Sequence, residues 1–126
     1  MNTHHRSMIE AYVQAYNALD VEGMIKHLHE DVVFENSSNG EVDLRTEGRA
    51  AFEAQALKAL TLFSQRQQTI TSWESDADSI WIGIAYVGIL AIDLPNGLKK
   101  GDELSLQGRS IFQFQNNQII LIRDES

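Results

Sequence analysis

Asp124 is the acidic residue whose surroundings most favour chemistry. It follows Ile120 and Ile122 at a spacing of two residues in a predicted strand, so the three side chains are expected to share one face. Burial on an inner face would raise the pKa of the Asp124 carboxyl and suit it to general acid–base catalysis. The alternative is a solvated carboxylate beside Arg123 near the end of the last strand.

Three tyrosines and an asparagine are further candidates for a site. Tyr12 and Tyr16 are four residues apart in a helical pattern, so they lie on one helix face, where they pack in the core with their hydroxyls at a pocket wall. Tyr86 shares a predicted strand face with Ile84 and is either a core residue or a ligand contact. Asn36 ends a short apolar run beside turn residues, where its side chain either bonds to the backbone or serves the site.

The histidines do not form a metal-binding pattern. His27 and His29 are two residues apart, so on a helix they point to different faces and do not converge on one ion. They indicate an exposed helix end. The chain has no cysteine, which excludes a disulfide and a thiol nucleophile. It also has no phosphate-binding glycine loop and no Gly-x-Ser-x-Gly nucleophile motif, so we expect no metal and no such chemistry.

Length and charge set further limits. A chain of 126 residues is expected to form one domain over residues 1–126. Its formal net charge is -8 and its basic residues are scattered, so it would repel both a nucleic-acid backbone and an anionic membrane surface. Neither is therefore expected as a partner. The N-terminal residues contain no apolar stretch of the signal-peptide type, and we expect a cytoplasmic protein.

Residues 80–92, with the sequence IWIGIAYVGILAI, are expected to be the element around which the others pack. The segment carries no charge. It is too short to span a bilayer, which takes roughly 20 residues in a helix. Its isoleucine and valine content favours a β-strand. We interpret it as one long strand with both faces covered.

The other elements predict an α+β fold. Helical spacing predicts helices over residues 3–19 and 21–28, and a third helix that begins at Gly48 and Arg49. Three helices would cover one face of a curved antiparallel sheet and leave an internal pocket open at one end. The predicted strands comprise residues 32–34, a stretch from residue 66 to the turn at 76–79, and residues 80–92, 103–115 and 119–122.

Four segments carry a family resemblance. They are YVQAYNALD at residues 12–20, HEDVVFEN at 29–36, GRAAF at 48–52 and NQIILIRD at 117–124. Together they resemble the nuclear transport factor 2-like superfamily in its SnoaL-like branch. The resemblance implies a cone-shaped α+β fold, an apolar pocket and a dimer formed through the sheet. Its known activities include ketosteroid isomerase, polyketide cyclase, epoxide hydrolase and dehydratase, while other members only bind ligands or partner proteins.

The resemblance to ketosteroid isomerases preserves one of three roles. It places their hydrogen-bonding tyrosine at Tyr12, their carboxylate base at Asn36 and their protonated carboxylic acid at Ser110. An amide cannot accept a proton at neutral pH, and a serine hydroxyl is a weaker donor than a carboxylic acid. Steroid-type isomerisation by that mechanism is therefore not expected.

The resemblance to epoxide hydrolases and cyclases gives Asp124 its role. The water-positioning asparagine of the hydrolases matches Asn36, and their final-strand aspartate matches Asp124. Their arginine and second aspartate would fall at Tyr86 and Gly88, which cannot replace them. The cyclases use a pocket aspartate as acid or base, and Asp124 could play that part.

These matches define the expected site and its alternative. A cofactor-free enzyme would transfer protons on a small apolar molecule, polyketide- or steroid-like, with Asp124 as the acid or base and with Tyr12 and Asn36 as hydrogen-bond donors. The alternative is a non-catalytic ligand-binding or dimerisation module. The expected pocket wall comprises Tyr16, Phe34, Phe63, Ile84, Tyr86, Ser110 and Phe112. A homodimer is expected to bury the apolar outer face of the last strands, formed by Trp81, Val87, Ile89, Ile111 and Leu121.

Overall fold

Three helices and one curved six-stranded sheet make up the fold. The structure is a computed structural model that describes residues 2–126. The helices are α1 (Thr3–Asn17), α2 (Val21–Ile25) and α3 (Arg49–Leu60). The strands are β1 (Leu28–Ser38), β2 (Glu41–Glu47), β3 (Phe63–Ser75), β4 (Ser79–Leu90), β5 (Glu103–Gln115) and β6 (Gln118–Glu125). The predicted α+β class, with three helices on a curved sheet, is confirmed.

The sheet has the strand order β2-β1-β6-β5-β4-β3 and is mixed rather than wholly antiparallel. The parallel pair is β1 with β6, which the long connection through the rest of the chain permits. Strand β2 is an addition to the predicted set. Its sequence EVDLRTE has only two apolar residues, Val42 and Leu44, and is mostly exposed at the edge of the sheet, so its apolar signal is weak.

Strand β4 is the long strand that the apolar run predicted, but it is second from the edge of the sheet and ends at Leu90 rather than at residue 92. It pairs along its length with β3 on one side and β5 on the other. Its even-numbered residues face the helices, and Ile80, Ile82 and Ile84 are buried. The backbone N–H of Ala91 leaves the sheet to bond to the carbonyl of Leu62, which ends the strand.

Two β-bulges change which side chains face the core. In β3 the pairing shifts between Ile70 and Ser72, so that Ile70 and Trp73 both pack against the core. In β6 the pairing shifts between Ile119 and Leu121. Ile119 is therefore fully buried on the inner face, where the sequence pattern had placed Ile120.

The first half of the chain begins its sheet earlier than predicted. Helix α2 ends at Ile25, and Leu28 is already a fully buried residue of β1.

The end of α1 is fixed to β3 by two hydrogen bonds. The Asn17 side-chain amide donates to the Gln68 carbonyl at 3.0 Å, and the Gln68 N–H donates to the Asn17 side-chain oxygen at 2.7 Å. No helix within residues 2–126 is long and apolar enough to cross a membrane.

Candidate functional site

A cavity of about 410 Å³ lies between the inner face of the sheet and the three helices. This volume falls in the range of roughly 300–1,000 Å³ that is usual for small-molecule sites. The structure places nine of the ten expected site residues on its wall, namely Tyr12, Tyr16, Phe34, Asn36, Phe63, Ile84, Tyr86, Ser110 and Asp124. Aromatic and aliphatic side chains form most of this wall, and the polar groups lie at separate points on it.

Phe112 is the exception, because it lies in the core and not on the cavity wall. Its side chain is fully buried. Tyr12 covers it edge-on, with ring centroids 5.8 Å apart and ring planes at 74°. Phe112 does face inward, as the alternation of β5 predicted, but α1 closes over the sheet at this level. Phe112 therefore supports Tyr12 from below and cannot contact a ligand.

Asp124 and Ser110 face each other across β5 and β6 and form the acidic end of the cavity. The Ser110 hydroxyl donates to Asp124 Oδ1 at 2.7 Å. Burial raises the pKa of the Asp124 carboxyl from 3.8 to about 6, and the hydrogen bond from Ser110 offsets only part of this effect. Among residues 2–126, no basic side chain forms an ion pair with Asp124. The carboxyl can therefore exchange a proton close to neutral pH.

Tyr12 lies on the cavity wall close enough to Asp124 to sense its charge. Burial, and then the negative charge of Asp124, raise the pKa of the Tyr12 hydroxyl well above its usual value of 10. The hydroxyl is therefore protonated at neutral pH. It can donate a hydrogen bond to an oxygen that becomes negative in a reaction, or to Asp124 itself.

Asn36 is the register partner of Asp124 in the parallel pair of β1 and β6. Its side-chain nitrogen donates to Asp43 Oδ1 at 2.8 Å, and Ser38 donates to the other oxygen of Asp43 at 3.0 Å. Asp43 belongs to β2, the strand that the sequence did not predict. The amide of Asn36 thus lines the cavity with one of its two N–H groups already used.

Arg66 is the cavity residue that sequence reasoning missed. It is only 6% exposed and lies on the cavity wall at the start of β3. Its Nε donates to the carbonyl of Tyr16 at 3.0 Å, and its guanidinium lies 3.7 Å from the centroid of the Tyr16 ring. Gln55, Gln68 and Met24 also line the cavity without having been predicted. The one signal that could have identified Arg66 is that it is a basic residue on the inward-facing side of β3. That side can be assigned only once the strand register is known.

Comparison with known proteins identifies the family. A family model for the SnoaL-like domain matches residues 9–122. The chain belongs to this family. No curated protein sequence matches it significantly.

Solved structures share the fold of this SnoaL-like domain at low sequence identity. A proposed polyketide cyclase from Xanthomonas campestris pv. campestris is 20% identical with a TM-score of 0.81, over 98% of this chain and 90% of that one. An epoxide hydrolase of the limonene epoxide hydrolase-like type from M. tuberculosis is 17% identical with a TM-score of 0.76, over 98% and 82%. A protein with a ketosteroid isomerase-like fold from Catenulispora acidiphila is 14% identical with a TM-score of 0.76, over 93% and 82%. At these identities the likeness concerns the fold alone.

Three aromatic side chains of this SnoaL-like domain cluster on one side of the cavity. Tyr86 lies between Tyr16 and Phe63, with ring centroids 6.3 Å and 6.1 Å away. Burial is the main reason why the pKa values of Tyr16 and Tyr86 are raised, so both hydroxyls are protonated at neutral pH. Gly88 leaves the space for this group, because a Cβ atom there would lie 2.9 Å from both the Phe63 ring and the Tyr86 hydroxyl.

The histidines lie outside the cavity. His27 lies in the turn before β1, and His29 lies within β1 rather than at a helix end as predicted. His29 Nδ1 accepts a hydrogen bond from the Asp31 N–H at 2.9 Å. No group of three or more His, Cys, Asp or Glu side chains placed to hold a metal ion occurs among residues 2–126.

Proposed function

We propose that this SnoaL-like domain binds a small apolar molecule, polyketide- or steroid-like, in its cavity and transfers protons on it without a cofactor. The observation that carries the proposal is the Asp124 carboxyl, which lies on a largely apolar wall with its pKa raised to about 6. A carboxylate of this basicity removes a proton from a carbon acid more readily than an ordinary aspartate, and it can return the proton near neutral pH.

Each neighbour of Asp124 has a role in this chemistry. The Ser110 hydroxyl, 2.7 Å from Oδ1, orients the carboxyl and leaves its second oxygen free to face a substrate. The Tyr12 hydroxyl donates to the oxygen of a carbonyl substrate, where negative charge develops as the adjacent carbon loses its proton. Asn36 supplies a second hydrogen bond through the N–H group that Asp43 does not use. The reaction class is an isomerisation, a cyclisation or an elimination that proceeds through an enolate.

The alternative is a non-catalytic ligand-binding or dimerisation module, and the structure contains one observation in its favour. Asn36 is held by Asp43 and cannot act as a base. Within residues 2–126, the other carboxyl side chain that lines the cavity, Glu125, is paired with Arg109, so Asp124 is the one carboxyl side chain there without an ion-pair partner. A single acid–base group is a sparse catalytic set. The two functions differ in whether the bound molecule exchanges protons with the protein.

We also propose that two copies of the chain associate in the cytoplasm through the outer face of the sheet. Val87 is 40% exposed there, and Trp81, Ile89 and Leu121 are partly exposed. Ile111 is only 8% exposed within the single chain, because it lies between Trp81 and Arg123 in the sheet register. Ile111 therefore supports this surface from beneath and contributes little of its own area.

Hydrogen–deuterium exchange on a model ketone tests the catalytic proposal. 2-Tetralone is a small apolar ketone with acidic protons next to its carbonyl, and proton NMR in D₂O follows their loss. The wild-type protein is expected to accelerate the exchange. Asp124→Asn should lower the protein-catalysed rate by about 100-fold, in line with the usual contribution of a general base. Asp78→Asn, which removes an exposed carboxyl in the turn before β4, should leave the rate unchanged.

Two outcomes oppose the proposal. If the wild type binds 2-tetralone without accelerating exchange, the domain is a binding module. If Asp124→Asn exchanges protons as fast as the wild type, another group is the base.

A further inference from the structure

We propose that Arg66 is the anion-binding site of the cavity and that the ligand is an apolar molecule with a carboxylate group. This inference rests on the proposed ligand-binding function and names the chemical class of the ligand. It depends on the burial of Arg66, on the hydrogen-bond donors that the protein leaves unused, and on the position of Arg66 relative to Asp124.

Arg66 differs from the other basic residues in its burial. Among residues 2–126 it is the only buried Lys or Arg. The side chains of Arg45, Arg109 and Arg123 are between 40% and 56% exposed, and each forms an ion pair with a glutamate. None of the ion pairs within residues 2–126 includes Arg66. A buried charge without a counter-ion is unfavourable, so an anion in the cavity would relieve it.

The guanidinium retains hydrogen-bond donors for such an anion. An arginine has five N–H donors. In Arg66, Nε bonds to the Tyr16 carbonyl, and Nη2 lies 3.6 Å from the Met24 sulfur. The other three N–H groups, two on Nη1 and one on Nη2, have no acceptor within residues 2–126. Two N–H groups on adjacent nitrogens match the two oxygens of a carboxylate.

Arg66 also stabilises the end of α1, and this contact fixes its position. The Tyr16 carbonyl belongs to the last turn of the helix, where carbonyl groups lack helical partners and attract positive charge. The Asn17–Gln68 hydrogen bonds hold this helix end against β3, two residues from Arg66. The guanidinium carbon lies over the Tyr16 ring, 3.7 Å from its centroid. The helix end uses one N–H group, so a purely structural role leaves the other donors unexplained.

Arg66 and Asp124 lie at separate points of the cavity. Arg66 is on β3 and Asp124 is on β6, with β4 and β5 between them. Three strand spacings amount to about 14 Å across the strands. The pairings also offset the two residues along the strands, because Arg66 is level with Gly88 of β4 and Asp124 is level with Ile82. The two residues do not form an ion pair. A ligand that contacts both would carry its carboxylate at one end and its reacting carbonyl at the other, with an apolar body against Ile84 and Tyr86.

The net charge of the protein makes this local positive charge more significant. At -8 the chain repels anions at long range. Recognition of an anionic ligand must therefore come from a group inside the cavity. The neighbouring tyrosine hydroxyls are neutral, and within the described part of the chain Arg66 is the one buried cation that they face.

A displacement experiment on the wild-type protein tests the inference without any variant. The fluorescent reporter is N-phenyl-1-naphthylamine, an uncharged apolar dye whose emission rises in an apolar cavity. The competitors are 2-naphthoate and 2-naphthamide, which have the same ring system and differ in the charge of one substituent. We expect 2-naphthoate to displace the dye at a concentration about ten-fold lower than 2-naphthamide, because a carboxylate forms a charge-assisted pair with Arg66.

Variants then assign the preference to Arg66. Arg66→Met keeps a long side chain and removes the charge, and the ratio between the two competitors should fall to about one or reverse. Arg6→Met removes the same charge from an exposed position on α1, outside the cavity, and should keep the wild-type ratio. A weaker helix end alone would affect both competitors equally and leave the ratio unchanged.

The outcomes separate this inference from the proposed function. If the dye binds and both competitors displace it equally from the wild type, the cavity binds ligands but Arg66 is not an anion site. If the preference for 2-naphthoate persists in Arg66→Met, the anion site is elsewhere. If neither the dye nor the competitors bind, the ligand-binding function fails and this inference fails with it.

Discussion

Two carboxyl groups on neighbouring strands show how the two faces of the sheet differ. Glu35 on β1 faces outward and accepts hydrogen bonds from Arg45 at 2.6 Å and from Arg123 at 2.9 Å. These two bonds lower its pKa below the usual value of 4.5. Asp124 on β6 faces inward, where it has only the Ser110 hydroxyl, and burial raises its pKa to about 6. The same type of group thus has a lowered pKa on one face and a raised pKa on the other.

The basic residues on the two faces of the sheet also differ in whether they are paired with a carboxylate. Arg45 and Arg123 on the outer face are paired with Glu35, whereas Arg66 on the inner face has no carboxylate partner within residues 2–126. Charges on the outer face are thus satisfied within the chain and stabilise the fold. On the inner face, Asp124 and Arg66 have no ion-pair partner among the residues that the structure describes. Groups with perturbed pKa values cluster at functional sites, which supports the proposed site in the cavity.

The largest expected effect concerns the outer face. Trp81→Glu should weaken the proposed dimer by at least about 30-fold, because a buried tryptophan is typically a major contributor to an interface. Light scattering during gel filtration measures the mass. The wild type is expected to be a dimer at micromolar concentration and the variant a monomer. Leu57→Glu, on an exposed position of α3, should leave the dimer intact. A monomeric wild type would show that the outer face serves no such contact.

The second effect concerns the stability of the inner face. Asp124→Asn should stabilise the protein at pH 7 by about 2 kcal/mol, a large part of the roughly 3 kcal/mol that a pKa difference of about two represents. The folded-state pKa of about 6 lies above the ordinary 3.8, so between these values the folded protein retains a proton that the unfolded chain has released. The carboxyl thus destabilises the fold as the pH rises through this window, and it does so fully above pH 6. Asparagine can still accept the Ser110 hydrogen bond.

Urea unfolding at pH 7 and at pH 4 measures this effect. The gain from Asp124→Asn should be present at pH 7 and largely absent at pH 4. Asp78→Asn is the matched control and should change neither value. A loss of stability at pH 7 would mean that the ionised carboxyl is satisfied in the folded protein, which would remove the contrast with Glu35.

The smallest expected effect is a loss of stability when the carboxyl group of Glu35 is removed from the outer face. Glu35→Gln should lower the melting temperature at pH 7 by about 4 °C. The lowered pKa of Glu35 means that its contribution is present above pH 4.5 and is lost as the pH falls through the folded-state value. The deficit of the variant should therefore shrink in acid. Glu47→Gln removes the more exposed partner of Arg45 and should lower the melting temperature by less. An equal decrease would contradict the claim that Glu35 contributes more to stability than Glu47.

The inward direction of Asp124 and Ser110 could be predicted because the period-two pattern of the last strands survives in the fold. The pattern did not reveal the bulge that puts Ile119 in place of Ile120, since a bulge depends on the pairing of two strands. Strand β2 escaped prediction because its edge position needs little apolar surface. Whether Phe112 is buried in the core or lines the cavity depends on how closely α1 approaches the sheet, and no local sequence pattern predicts that distance.

Arg66 shows where sequence reasoning ended. A single arginine in a strand is usually solvated, and neither its burial nor its missing counter-ion can be read from neighbouring residues. The burial of Arg66 and its lack of a counter-ion both depend on where the end of α1 lies. The hydrogen bonds between Asn17 and Gln68, which are 51 residues apart in the sequence, fix that position. The acidic end of the site was thus accessible from local pattern and family resemblance, whereas the basic end required the tertiary structure.

The pKa of Asp124 is the quantity that tests the central claim most directly. Carbon-13 NMR of protein labelled at aspartate carboxyl groups gives the titration of each group, and the spectrum of Asp124→Asn assigns the resonance. We predict a midpoint of about 6 for Asp124, well above those of the exposed aspartates. A midpoint below about 4.5, within the ordinary range for an aspartate, would contradict the claim that the inner face keeps a carboxyl poised for proton transfer.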